Sequence, residues 1–62
     1  MYIKILKSPD PSMWYSLHIG DVIPYMHKID DVYMAREPIG YINIVKVEDA
    51  EEILSGNQDI VY

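Results

Sequence analysis

Residues 21–47 read DVIPYMHKIDDVYMAREPIGYINIVKV, and this stretch decides the fold. Three runs rich in Ile, Val and Tyr are separated by Asp30-Asp31 and by Pro38-Ile39-Gly40. β-Branched and aromatic side chains fit a pleated, half-buried surface, which assigns strands to Asp21–Ile29, Val32–Glu37 and Tyr41–Val47. Asp30-Asp31 is a hairpin turn. Pro38 pre-sets one backbone angle and Gly40 is free to take positive φ, so the second connection is also tight. The result is an antiparallel meander. Pro24 lacks a backbone N–H and belongs at an edge or a bulge.

Working outward from the meander, Tyr2–Lys7 is a further strand, with Ile3 and Ile5 on one face and Lys4 on the other. Ser8-Pro9-Asp10-Pro11-Ser12 ends it, and a long loop runs on through Trp14-Tyr15 to Ile19-Gly20. The loop carries bulky aromatics and should fold over the core, with Trp14 buried as its anchor. On the other side, Glu48–Leu54 admits two readings. Glu48 and Asp49 suit the start of a short helix, whereas a helical turn followed by a closing strand fits Glu51-Glu52-Ile53-Leu54 and is preferred. The domain is expected to occupy residues 1–55. Residues 56–62 form a tail whose Asp59-Ile60-Val61-Tyr62 is expected to pair as a strand, on this chain's sheet or on a neighbour's.

The expected fold class is therefore all-β: a small, partly open barrel of four to five antiparallel strands with one short helical turn near the C-terminus. Trp14-Tyr15, Ile19-Gly20-Asp21-Val22, Tyr33 with Arg36-Glu37, Gly40-Tyr41-Ile42 and Asp49-Ala50-Glu51 resemble the Src-homology-3-like (SH3-like) barrel group. More narrowly, they resemble small uncharacterised proteins of phages and prophages of Gram-positive bacteria. These positions are turn and core residues. The resemblance thus implies a fold and a phage-type setting in a bacterial host, and carries no catalytic motif. The peptide-binding members use a Trp on the third strand and a Pro in the closing turn. Here Trp14 lies in the first loop and no Pro follows Gly40, which argues against proline-rich ligands.

Composition narrows the function. A chain of 62 residues buries only about 60% of the surface its unfolded state exposes. It has no cysteine, hence no disulfide to compensate. No apolar run approaches the roughly 20 residues of a membrane span and no signal-peptide pattern opens the chain, so a cytoplasmic setting without membrane attachment is expected. Ten acidic side chains oppose five basic ones. Residues 1–47 balance at five each, and the whole excess lies in Glu48, Asp49, Glu51, Glu52 and Asp59. Nucleic-acid binding relies on clustered Lys and Arg, and none are clustered.

Catalytic and metal constellations are missing from the sequence. His18 and His27 stand nine residues apart without cysteine partners, short of a zinc ligand set. Asp30 and Asp31 are adjacent on the chain, so they cannot flank one bond as paired catalytic carboxylates must. Ser8, Ser12, Ser16 and Ser55 lack a nucleophile elbow, and Gly20, Gly40 and Gly56 make no phosphate loop. A barrel of this size should leave little room for a pocket of about 300 Å³ or more. No enzyme activity, cofactor or metal is expected.

The aromatics and the two-faced strands point to binding. Six Tyr and one Trp occur with no Phe, and Tyr and Trp suit positions where one end meets water or a partner. Val32 and Met34 share one face of the third strand, and Tyr33 and Ala35 the other, so neither face is polar before Arg36. In the second strand, Ile23, Tyr25, His27 and Ile29 are expected on one face. A barrel has a single inside, and a second apolar face implies a second buried surface. The candidate contact residues are Tyr15, Tyr33, Tyr41, Met34, Glu51 and Glu52. The expected function is a small non-catalytic protein-binding module. The alternatives are a self-associating structural or virion component, with a second copy as partner, and an acidic mimic of nucleic acid.

Overall fold

The computed structural model describes residues 1–53. They form five strands, β1 (Tyr2–Ile5), β2 (Val22–Ile29), β3 (Val32–Arg36), β4 (Ile42–Lys46) and β5 (Ala50–Ile53). Two single turns of 3-10 helix interrupt them, at Trp14–Leu17 and at Val47–Asp49. The strands are antiparallel in one sheet of order β4-β3-β2-β1-β5. This is the all-β, partly open barrel expected, and the second reading of residues 48–54 holds as far as Ile53: one 3-10 turn, then a closing strand. The expected tail and its strand at Asp59–Tyr62 lie outside the described residues.

Local chemistry sets the connections. Asp30, at φ 53°, takes the left-handed conformation that a two-residue hairpin needs. At the β3–β4 turn, the Gly40 N–H donates to Glu37 O at 2.8 Å and the Glu37 N–H to Tyr41 O at 2.7 Å. Pro38 fixes the entry, and Gly40 at φ 112° closes the turn.

β2 lies in the middle of the sheet, which makes Pro24 a finding. It sits opposite Tyr2 of β1, while the pairing with β3 begins only at Tyr25. The Tyr25 N–H points to Met1 O at 2.9 Å, so the missing N–H of Pro24 would point away from β1. No ladder hydrogen bond is lost there. Two residues later the register shifts: Tyr25 faces Ala35 and His27 faces Met34, leaving Met26 as a bulge. β2 thereby passes from β1 to β3 with the bend that closing a barrel requires.

The core comprises Ile3, Ile5, Tyr15, Ile23, Tyr25, Tyr33, Ala35, Val45 and Ala50, with Met13, Trp14 and Val47 packed against it. Each large apolar side chain so buried contributes roughly 1.5–3 kcal/mol. The long first loop is tied down at several points. Asp10 accepts from the Ser12 N–H and hydroxyl at 2.9 and 2.7 Å, which holds its carboxyl below the usual carboxylate range. His18 Nδ1 lies 3.2 Å from Asp21 Oδ2, and the Gly20 N–H donates to Ile5 O at 2.8 Å.

The anchor of that loop is Tyr15 rather than Trp14. Tyr15 is fully buried, and its hydroxyl donates to Asp49 Oδ2 at 2.5 Å. Trp14 is half-buried, edge-on to Tyr15 at 5.6 Å between ring centroids. Adjacent residues on a 3-10 turn diverge, so only one of the two rings can point into the core.

Candidate interaction surface

The bulge at Met26 creates the most distinctive surface of the molecule. Beyond it, Lys28 pairs with Tyr33 and Ile29 with Val32. Lys28 therefore shares the inner face with Tyr33, its Nζ 5.9 Å from the ring centre. His27 and Ile29 turn to the outer face beside Met34 and Val32. The expectation that Ile23, Tyr25, His27 and Ile29 share one face is thus corrected at Met26: the first two point inward and the last two outward.

The outer face of β2, β3 and β4 is consequently apolar. Ile29, Ile42 and Ile44 are 49%, 45% and 38% exposed, and Val32 and Met34 are half-buried between them. Across the strands, Ile29 aligns with Val32 and Lys46, and His27 with Met34 and Ile44; Arg36 pairs with Ile42. The inner face of the same strands is filled by Tyr25, Tyr33, Ala35 and Val45. Aliphatic side chains on the outside therefore add nothing to the core.

A groove of about 400 Å³ opens at one end of this face, lined by Asp31, Val32, Ile44, Lys46, Val47 and Glu48. Its size departs from the expectation that little room would be left for such a space. The reason is its position: it lies outside the barrel, between the β3–β4 surface and the second 3-10 turn. Val32, Ile44 and Val47 make the apolar part, and Asp31 and Glu48 are exposed carboxylates beside it.

Among the described residues, the edge of β4 away from β3 is met by side chains. The Trp14 indole N–H donates to Ile44 O at 2.7 Å. The Lys46 N–H reaches the Tyr15 hydroxyl at 3.4 Å, and the Ile44 N–H donates to Asn43 Oδ1 at 2.8 Å. Unpaired edges recruit foreign strands, and these three bonds occupy the Ile44 N–H and C=O and the Lys46 N–H. What β4 presents to solvent is its outer face.

The candidate contact residues do not converge. Tyr15 and Tyr33 are core residues, so the expectation that they line an exposed surface is corrected. Tyr33 packs against Tyr25 with centroids 5.0 Å apart. Tyr41 is 69% exposed, next to the β3–β4 turn. Met34 lies at the centre of the outer face. Glu51 and Glu52 are exposed on β5, at the far edge of the sheet, and Glu52 Oε1 accepts from the Tyr25 hydroxyl at 3.1 Å. Sequence reading did not single out Ile29, Ile42 and Ile44, although the two apolar faces of the third strand were the signal that could have found them.

Burial raises the hydroxyl pKa of Tyr15 to about 12, with its hydrogen bond to Asp49 acting in the same direction. Tyr25 and Tyr33 are raised for the same first reason, burial. These tyrosines stay neutral and structural. Among the described residues no three His, Asp or Glu side chains come together as a metal site, and no helix is long and apolar enough to cross a membrane. No family model, curated protein or solved structure matches the chain.

Proposed function

We propose that this chain is a small, non-catalytic protein-binding module whose contact surface is the outer face of β2, β3 and β4. One observation carries the reading: Ile29, Val32, Met34, Ile42 and Ile44 cover the outside of strands whose inside is already packed. Aliphatic residues gathered in this way, away from the core, mark a contact surface. The side-chain bonds to Ile44 and Lys46 along the edge of β4 favour contact through side chains over strand addition. The setting implied by the phage-type resemblance is the cytoplasm of a bacterial host, with a host protein as partner.

The test is capture from a bacterial lysate with the native chain and with Ile44→Glu and Met34→Glu. Partners held by the native chain and lost by both variants support the reading. Equal recovery by all three sinks it, because the contact would then lie elsewhere.

A further inference from the structure

Alternate residues of a strand turn their N–H and C=O to opposite sides of the ladder. In β4 the side away from β3 receives the main-chain groups of Ile42, Ile44 and Lys46, and the bonds at Ile44 and Lys46 are built from several directions. The Trp14 indole N–H reaches the Ile44 C=O from 30 residues earlier in the chain, at 2.7 Å. Trp14 is half-buried beside Tyr15, so its ring stands at the rim of the core with its polar edge turned to β4. The Ile44 N–H donates to Asn43 Oδ1 at 2.8 Å. The Asn43 amide keeps that orientation because its Nδ2 donates to Glu37 Oε2, also at 2.8 Å. At Lys46 the N–H meets the Tyr15 oxygen, whose own proton is given to Asp49 Oδ2. Each bond is thus held from outside β4 as well as within it.

We infer that the first loop and Asn43 form a guard on the edge of β4, and that what the guard keeps off is β4 of a second copy. The inference concerns the main-chain edge and stands apart from the reading of the outer face. Antiparallel pairing of a strand with itself about a two-fold axis asks only for a self-complementary edge. With the axis at Ile44, each Ile44 N–H would donate to the Ile44 C=O of the other copy, the reciprocal pair of an antiparallel ladder. Ile42 would then stand opposite Lys46. The two groups at the centre of that ladder are the ones Trp14 and Asn43 hold. The strand's own sequence supplies little protection: Ile42-Asn43-Ile44-Val45 has no proline, glycine or charge, the features that otherwise blunt an edge. Side-chain bonds from the loop take their place.

The test opens the guard in the full chain with Trp14→Phe and Asn43→Ala together. Phe keeps a ring beside Tyr15 and loses the indole donor, and Ala removes the acceptor for the Ile44 N–H. In sedimentation from about 10 to 500 μM, where mass action reveals weak pairing, this opened variant should move towards the mass of two chains. Its association should exceed that of the native chain by about tenfold or more. Adding Ile44→Pro should abolish the gain, because proline offers no N–H to a second strand, and the N–H it removes is not one that bonds to β3. Adding Ile44→Thr instead changes the outer face and keeps the N–H, so the gain should persist. Loss of the gain with Thr as well would place the contact on the outer face and overturn the guard. An opened variant that associates no more than the native chain overturns it too. So does equal association of Gly40→Ala, which strains the β3–β4 turn and leaves the guard in place, since instability alone would then be the cause. Amide exchange reads the edge without the proline. The Ile44 N–H of the opened variant should exchange faster than in the native chain when dilute, and slow as concentration rises; exchange independent of concentration overturns pairing at this edge.

Discussion

At the scale of single residues, Tyr15 and Asp49 join the two ends of the described chain. The first loop has no strand to order it. The Tyr15 ring enters the core, and its hydroxyl bonds to a buried carboxylate 34 residues later. Among the described residues Asp49 Oδ1 has no hydrogen-bond partner, and the Tyr15 hydroxyl is the side-chain donor to Oδ2. Tyr15→Phe removes that donor at little cost in packing. Leaving a buried polar group unpaired costs about 1–3 kcal/mol, and urea unfolding should register a loss of that order. A change below about 0.5 kcal/mol would show that Asp49 needs no partner. Alkaline pH should have a related effect. The Tyr15 pKa in the fold, about 12, exceeds the ordinary value of 10.0, so the folded state holds the proton more tightly. That stability is fully present below pH 10 and is lost as pH rises through 12, amounting to about 2–3 kcal/mol. Unfolding followed against pH should steepen above pH 10, and less so in Tyr15→Phe. Which of Trp14 and Tyr15 points inward was not legible in the sequence, because the phase of a single 3-10 turn leaves no periodic trace.

At the scale of elements, the hairpins were legible and the bulge was not. Asp30-Asp31 and Pro38-Ile39-Gly40 mark their turns by chemistry, because only certain residues take the angles such turns need. Tyr25-Met26-His27 gives no such mark. Alternation runs through it unbroken, and the bulge answers a tertiary demand: β2 must leave β1 and join β3. The error propagated, since one extra residue exchanges the faces of everything beyond it. That is why Ile29 is expected on one face with Ile23 and Tyr25, and only Val32 and Met34 signal the outer face. Gly40 offers a test of the turn chemistry. Its φ of 112° is one that L side chains rarely adopt, and a Cβ added there would meet nothing within 4 Å. Gly40→Ala should therefore act through backbone strain alone, at a cost of about 1–2 kcal/mol. Thermal melting measures this, and an unchanged midpoint would mean that the turn relaxes to another form.

At the scale of the whole molecule, one sheet has two apolar faces with different purposes, and β4 shows both in adjacent residues. Val45 points inward and is fully buried against the core; Ile44 points outward and is 38% exposed. If burial serves folding and the outer face serves contact, the same substitution at these two positions should separate stability from binding. Val45→Asp places a carboxylate in the apolar interior, where burying an unpaired charge costs several kcal/mol. The core of so small a domain rarely supplies more than about 3–5 kcal/mol of net stability, so this variant should be largely unfolded at 25 °C. Ile44→Asp puts the same group in water and should lie within about 1 kcal/mol of the parent by urea unfolding, while losing its partners in the capture experiment. Circular dichroism and capture together read both properties. Should Ile44→Asp unfold as readily as Val45→Asp, the outer face would be a second core and the contact surface would have to be sought elsewhere, with the exposed Tyr41 and Ile39 beside the β3–β4 turn as the next place to look.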